Sequence, residues 1–246
     1  MKHIIKMKLV LDIGNTSTKA GVFDQKQLKE LFLSEKIDIS FLRAINRKYK
    51  IGSVLLSSVK SVSLKIVEFL NKNYQYLELN ESTPVNINNK YKTPSTLGKD
   101  RLAGVVGASY VYKNENVLVI DAGTCITYDF ISREKEYHGG SISPGIRMRF
   151  RALHTFTGKL PLVSLSNFDQ LIGSNTEKSI LAGVINGTVG EVDNIINRYA
   201  EKHNSLRVVI CGGDAPFLAS RLKNTIFAVP ELILIGLNEI LDYNVQ

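Results

Sequence analysis

Two short segments of this 246-residue chain place an aspartate and a glycine directly after an aliphatic run. The first is Asp12-Ile13-Gly14, and the second, Asp121-Ala122-Gly123, follows close to half a chain length later. Glycine lets the backbone approach a ligand because it has no Cβ. Backbone N–H groups and threonine hydroxyls in such a turn donate to phosphate oxygens, and the carboxylate suits an accompanying cation. The two segments therefore predict phosphate binding.

The residues around each aspartate follow one order: an aliphatic strand, the Asp-x-Gly turn and a returning strand, over residues 8–23 and 117–131. Each window predicts a β-hairpin. One hairpin is explained by an ordinary polar turn, but two at half-chain spacing indicate an internal duplication. We expect an α/β protein with two similar domains, 1–115 and 116–246, and a cleft between them.

The elements that position these turns are predicted from hydrophobic periodicity. Residues 51–59 and 207–211 read as strands, and the second leads into Gly212-Gly213. Helical spacing covers 61–73, 99–112, 148–156, 177–203 and 231–243. Ser174 and Glu177 form an S-x-x-E capping box, so we expect Ser174 to cap the long helix.

Asp100 and Arg101, just after Gly98, form a second candidate for chemistry. A kinase acting on an alcohol uses a carboxylate that accepts the hydroxyl proton, and an arginine pairs well with a substrate carboxylate. The alternative is an acid in the first turn of a helix beside an exposed arginine. The residues alone leave both interpretations open.

Composition excludes several classes of protein. The net charge is +8, but the basic residues are scattered, so we expect small anionic partners and no nucleic acid. Cys125 and Cys211 are expected to be free thiols in a reducing compartment. Because no run of about 18 apolar residues occurs, we expect a cytoplasmic protein without membrane spans. Neither a GxSxG elbow nor a Walker-type phosphate loop is present.

The two Asp-x-Gly turns resemble the phosphate loops of the acetate kinase, sugar kinase, heat-shock 70 and actin superfamily, and residues 208–214 resemble its adenosine loop. Within that superfamily, residues 91–103 (YKTPSTLGKDRLA), Gly139-Gly140 and Pro144-Gly145 resemble type III pantothenate kinases. The resemblance implies duplicated ribonuclease H-like domains, the actin-like ATPase fold, with an ATP cleft between the halves. It also implies pantothenate phosphorylation, the first step of coenzyme A biosynthesis, by a homodimer.

The resemblance assigns roles to individual residues. The implied ATP-binding residues are Asp12, Ile13, Gly14, Asn15, Thr16, Ser17, Thr18, Lys19 and Thr124. The implied pantothenate-binding residues are Tyr91, Gly98, Lys99, Asp100, Arg101 and Thr176. Asp100 is the implied general base, Asp121 the implied ligand of a monovalent cation (K⁺ or NH₄⁺), and Mg²⁺ accompanies ATP.

Two other functions remain open at this point. One is a kinase of the same superfamily that phosphorylates another small hydroxy acid or a sugar. The other is a nucleotide-binding accessory or regulatory protein without turnover. The presence of Asp12, Asp100 and Asp121 favours an active enzyme. The short chain disfavours an actin-like filament protein.

Overall fold

The computed structural model describes residues 6–14 and 18–245. The chain divides into two compact units. The first takes residues up to Lys113 together with Lys135–His138 and residues from Glu231 onward, and the second takes Asn114–Glu134 and Gly139–Pro230. These units differ from the predicted domains mainly at the C-terminus, where the last helix belongs to the first unit.

Strands and helices alternate along most of the chain. The strands are β1 Met7–Ile13, β2 Thr18–Asp24, β3 Gln27–Ser34, β4 Ile51–Ser58, β5 Gln75–Glu78, β6 Asn88–Asn89, β7 Asn116–Ala122, β8 Cys125–Ile131, β9 Glu136–Pro144, β10 Leu206–Cys211 and β11 Phe227–Ala228. The helices are α1 Ile39–Tyr49, α2 Leu64–Asn73, α3 Lys99–Val111, α4 Ile146–Thr155, α5 Thr176–Lys202, α6 Ala215–Ala219 and α7 Leu232–Asn244, and Pro94–Thr96 forms one 3₁₀ turn.

The sheet of the first unit has the strand order β3-β2-β1-β4-β5. Its central strand β1 pairs antiparallel with β2 and parallel with β4. The aliphatic residues of β1 are buried, and Leu42 and Ile45 of α1 pack in the same core. The register sets Asp12 of β1 beside Lys19 of β2 and Ser57 of β4.

In the second unit, β7 takes the position that β1 has in the first. It pairs antiparallel with β8 and parallel with β10, and Asp121 lies beside Thr127 and Cys211. Helices α4 and α5 contribute Ile146, Phe150 and Ile185 to the core of this unit. The predicted duplication is therefore visible as two strands of the same pairing pattern, each ending in an Asp-x-Gly turn.

Helices α3 and α7 of the first unit approach unusually closely. A Cβ atom on Gly236 would overlap the carbonyl oxygen of Ala103, and one on Gly107 would overlap that of Leu232. Glycine at both contact points lets the two backbones touch. The first turn of α3, which carries Asp100, therefore belongs to a helix whose middle packs directly against α7.

Both predicted hairpins and the predicted helices are confirmed, and the ends of the elements differ by at most a few residues. Residues 24–50 had no assignment and contain the whole of β3 and the whole of α1. The glycine-rich segment that includes Gly139 and Gly140 proves to be part of β9. In the described part of the chain, no helix is both long and apolar enough to cross a membrane.

The predicted cap of the long helix is wrong by one residue. Asn175, with extended backbone, is the N-cap of α5, and its side-chain oxygen accepts the N–H of Lys178 at 2.9 Å. Asparagine caps a helix as well as serine does, so Asn175 can serve as the N-cap in place of Ser174. Thr176 is consequently the first helical residue, and its side chain is exposed.

Candidate active site

Asp12 occupies the C-terminal end of β1, where its carboxylate is largely withdrawn from water. Burial, and after it the nearby Asp100 carboxylate, raise the pKa of Asp12 from its ordinary value of 3.8 to about 6. The Lys19 ammonium and a 3.5 Å hydrogen bond from the Ser57 hydroxyl act in the opposite direction. Because a buried carboxylate needs a compensating charge, this position suits a cation brought in with a phosphate.

The structure describes part of the Asp-x-Gly turn that begins at Asp12. Ile13 and Gly14 follow Asp12, and the returning strand β2 begins at the buried Thr18. The predicted ATP contacts Asn15, Thr16 and Ser17 lie outside the described residues. Lys19 is directly opposite Asp12 in the antiparallel register.

Asp100 lies in the first turn of α3, which begins at Lys99 after the N-cap residue Gly98. Its Oδ1 accepts the backbone N–H of Arg101 at 2.8 Å, so the carboxylate is held at the helix start. A Cβ atom on Gly98 would lie 2.5 Å from this oxygen. Glycine at 98 therefore leaves the space that the Asp100 carboxylate occupies.

Arg101 is buried, with 7% of its surface exposed. The alternative interpretation of Asp100 and Arg101 predicted an exposed arginine beside an acid in the first turn of a helix. Its prediction that the arginine is exposed is therefore wrong. Its guanidinium lies over the Tyr91 ring, with the Cζ atom 5.6 Å from the ring centroid. Tyr91 in turn stacks on Tyr137 at 6.3 Å with the rings nearly parallel. A guanidinium withdrawn from water pairs strongly with a carboxylate that reaches it.

The second Asp-x-Gly turn contacts the Gly212-Gly213 segment within the second unit. Gly212 has φ +93°, and a Cβ atom there would overlap Asp121 Oδ1 and the carbonyl oxygen of Ala122. The N–H of Asp214 donates to that same carbonyl at 2.8 Å. Only glycine combines this backbone conformation with this closeness, so the two sequence motifs form one contiguous surface.

The Pro144-Gly145 segment also contacts this turn. The N–H of Gly145 donates to the carbonyl oxygen of Thr124 at 3.1 Å. A Cβ atom on Gly145 would overlap the carbonyl oxygens of Gly123 and Thr124. Three motifs that are far apart in the sequence therefore meet around Asp121 and Thr124.

Comparison with known proteins gives the family. The family model of type III pantothenate kinases matches residues 8–198. The chain belongs to the type III pantothenate kinase family. Proteins named type III pantothenate kinase from Christiangramia forsetii and Phocaeicola vulgatus are each 44% identical to it, covering 97% of this chain and 99% of theirs. One from Flavobacterium johnsoniae is 39% identical over 98% of this chain.

Solved structures show that this kinase family member has the fold of sugar kinases. A glucokinase from an Antarctic psychrotroph superposes with a TM-score of 0.54 at 14% identity, covering 97% of this chain and 99% of its own. An ethanolamine utilization protein from Carboxydothermus hydrogenoformans superposes with a TM-score of 0.53 at 12% identity, covering 95% and 89%. The predicted duplicated, actin-like ATPase fold is confirmed.

The candidate residues of this type III pantothenate kinase family member fall into two groups. The first unit brings Asp12 and Asp100 close enough to influence each other electrostatically, with Arg101 and Tyr91 beside Asp100. The second unit holds Asp121 and Thr124, and Thr176 at the start of α5. Among the described residues, no group of three or more His, Cys, Asp or Glu could form a metal site by itself. Mg²⁺ held by one or two carboxylates and substrate phosphates needs no such group.

Sequence reasoning missed Ser57 as a partner of Asp12. The available signal was Ser57-Ser58 at the end of an otherwise aliphatic run, where parallel strands present polar residues at the carboxyl edge of a sheet. The strand register joins this serine to an aspartate far away in the sequence. Without knowledge of that register, the contact between Ser57 and Asp12 could not be predicted from the sequence.

Proposed function

We propose that the protein transfers the γ-phosphoryl group of ATP to the hydroxyl group of pantothenate, giving ADP and 4′-phosphopantothenate at the start of coenzyme A biosynthesis. Family membership supports the reaction. The observation that carries it is the placement of two carboxylates, Asp12 and Asp100, within electrostatic reach in one unit. One suits the metal–nucleotide and the other the acceptor alcohol.

Asp100 is the proposed general base. As the phosphoryl group reaches the hydroxyl oxygen, the proton leaves that oxygen and needs an acceptor. The bond from the Arg101 N–H fixes the Asp100 carboxylate at the start of α3. A fixed carboxylate keeps the hydroxyl aligned for in-line attack, which saves orientational entropy in the transition state.

Arg101 and Tyr91 are the proposed anchors for the pantothenate carboxylate. The substrate end that bears the carboxylate meets the buried guanidinium, and the 5.6 Å packing on Tyr91 holds that guanidinium in place. Gly98 and Lys99 lie next to them on the chain and are assigned to the same substrate site. Thr176 is a further proposed contact, supported by its exposed position at the first residue of α5.

The phosphates of ATP are assigned to both Asp-x-Gly turns. Asp12 is proposed to hold Mg²⁺, directly or through water, while residues 13–19 and Thr124 contact the phosphate oxygens. Mg²⁺ supplies charge neutralisation between the phosphates. The raised pKa of Asp12 fits this role, because a carboxylate that is destabilised by burial gains most from an arriving cation.

The function is tested by assaying the purified protein with ATP, Mg²⁺, K⁺ and pantothenate. Formation of ADP in step with 4′-phosphopantothenate supports the proposal. Turnover of a sugar or another hydroxy acid, with no turnover of pantothenate, would instead favour a kinase of the same superfamily that acts on a different substrate. ATP binding without turnover of any acceptor would favour an accessory protein. Cys125 and Cys211 are not joined in a disulfide, which fits the reducing cytoplasm, where we place the reaction.

Asp121 is proposed to bind a monovalent cation. We expect turnover to rise about tenfold or more when Na⁺ is replaced by K⁺ or NH₄⁺, and the Asp121→Asn variant to lose that stimulation, because one preorganised charge near transferring phosphates has an effect of this size. The matched control is Asp169→Asn, which neutralises a carboxylate of the second unit that is paired with Arg221 at 2.9 Å. Equal stimulation of Asp121→Asn and the control would refute the assignment.

Assembly as a homodimer is also proposed. Four large apolar side chains between α4 and α5 are mostly exposed in the single chain: Phe156, Leu162, Leu171 and Ile172. Exposed apolar side chains concentrated in one segment are typical of an interface. The apolar residues of α5, such as Ile180 and Val184, lie in the core of the second unit.

Light scattering at micromolar concentration is expected to give the mass of two chains. Replacing Leu171 and Ile172 together by glutamate is expected to give the mass of one chain, because charge in a desolvated interface is strongly unfavourable. Replacing the exposed Leu64 of α2 by glutamate is the control, and it should remain a dimer. A monomeric wild type would refute the dimer.

A further inference from the structure

We infer that Arg149 is a positioning residue for the second phosphate loop, which we define as residues 122–125. It acts through residues 143–145, where β9 ends and the chain turns into α4; we call this segment the 143–145 turn. The inference rests on the proposed function, because the proposed function assigns Thr124 of this loop to ATP binding. It adds a residue from the interior of α4, outside the Asp-x-Gly and Gly-Gly motifs.

The guanidinium of Arg149 holds the 143–145 turn at two points. Its Nε donates to the carbonyl oxygen of Pro144 at 2.8 Å, and one terminal nitrogen donates to Ser143 Oγ at 2.7 Å. The planar fork of arginine makes such two-point contacts with little remaining freedom. The turn is therefore fixed through both a backbone atom and a side-chain atom.

Arg149 is itself anchored in the core of the second unit. The same terminal nitrogen donates to Glu191 Oε2 of α5 at 2.6 Å, and Tyr128 donates to Glu191 Oε1 at 2.9 Å. Tyr128 is fully buried in β8, and the ion pair is mostly shielded from water, with side-chain exposures of 22% and 28%. Burial raises the pKa of Glu191, but hydrogen bonds from Ser143, Arg149 and Tyr128 bring it below the ordinary value, so the carboxylate is ionised at neutral pH.

The 143–145 turn is in direct contact with the phosphate loop, so the contacts that fix the turn also restrain the loop. The Gly145 N–H donates to the Thr124 carbonyl, and there is no room for a Cβ between Gly145 and the loop carbonyls. A displacement of the turn must therefore displace Thr124. Misplacing a phosphate contact by about 1 Å is enough to slow a transfer reaction by about a hundredfold.

The competing explanation is that Arg149 and Glu191 form a structural ion pair that only stabilises the second unit. A second ion pair in the same unit separates the two explanations. Arg207 donates to Glu115 at 2.9 Å, and the two side chains have exposures of 30% and 35%. Arg207 lies beside Val117 at the start of β7, whereas Asp121 and the phosphate loop lie at the opposite end of that strand.

The experiment compares Arg149→Met with Arg207→Met in the full-length protein. Methionine keeps much of the side-chain length and removes every donor. We measure Tm, the affinity for a non-hydrolysable ATP analogue by calorimetry, KM for ATP, KM for pantothenate and kcat. Arg149→Lys is a milder variant that keeps the charge facing Glu191 but loses the fork, and it serves if the methionine variant fails to fold.

We expect Arg149→Met to weaken binding of the ATP analogue and to raise KM for ATP, each by about tenfold or more. The KM for pantothenate should change little. The Tm should fall no further than it does in Arg207→Met. Arg149→Lys is expected to show the same pattern, less strongly. Nucleotide affinity and kcat equal to those of Arg207→Met would overturn the inference. If the wild type binds the analogue but does not phosphorylate pantothenate, the proposed function fails, and the binding comparison alone still decides the role of Arg149.

Discussion

The Asp100→Asn variant is expected to lose about 10²–10⁴-fold in kcat, the usual contribution of a positioned general base. Asparagine has nearly the same shape, and its side-chain oxygen can still accept the Arg101 N–H that Asp100 accepts at 2.8 Å. The helix start and the fold should therefore be preserved. What is lost is the ability to take the proton of the attacking hydroxyl, so KM for pantothenate should change much less than kcat.

Asp38→Asn is the matched control for this variant. Asp38 also accepts a backbone N–H at the start of a helix, that of Phe41 in α1 at 2.7 Å, but no catalytic role is assigned to it. Its kcat should equal that of the wild type. If Asp100→Asn kept kcat within about threefold of the wild type, Asp100 could not be the base. Circular dichroism and Tm establish that both variants are folded.

The Asp12→Asn variant is expected to be nearly inactive and, without ligand, more stable than the wild type at neutral pH. The pKa of Asp12 is raised to about 6 from an ordinary value of 3.8, first by burial and then by Asp100. At pH above this value, the folded state carries an ionised carboxylate that the unfolded state accommodates more easily. Removing that charge should raise the free energy of unfolding by about 3 kcal/mol at neutral pH.

The sign of the pH dependence provides the check. As the pH falls from about 6 towards 4, the folded wild type takes up a proton on Asp12 before the unfolded chain does, so this penalty disappears. The Tm advantage of Asp12→Asn should therefore be clear at pH 7.5 and shrink at pH 5. In Asp38 the pKa is lowered by hydrogen bonds from Ser40 and Phe41, so Asp38→Asn should not gain stability at pH 7.5. An Asp12→Asn variant less stable than the wild type at pH 7.5 would contradict the account.

Loss of activity in the same variant tests the metal–nucleotide role. Asparagine cannot supply the negative charge that Mg²⁺ prefers, so both kcat and the affinity for Mg²⁺–ATP should fall. Gain of stability with loss of activity is the pattern expected of a functional residue held in an unfavourable environment. If the variant retained normal turnover, Asp12 would be only a buried structural acid.

The sequence by itself determined the local elements and the repeated turns. Both hairpins, the long helix α5 and the helix start at Lys99 follow from periodicity and turn residues, which depend only on neighbours along the chain. The spacing of Asp12 and Asp121 was enough to indicate duplication. Residues 91–103 then pointed to one family, which comparison with known proteins bears out.

Only the tertiary structure decided which distant residues meet. Ser57 reaches Asp12 through a parallel register, and Asp100 raises the pKa of Asp12 through space. The place of α7 in the first unit also depended on contacts between glycine backbones that no sequence pattern expresses. Periodicity shows which face of an element is buried, but the partner of that face depends on register and close packing over the whole unit. The two Asp-x-Gly turns were therefore readable in the sequence, whereas the electrostatic environment of Asp12 was not.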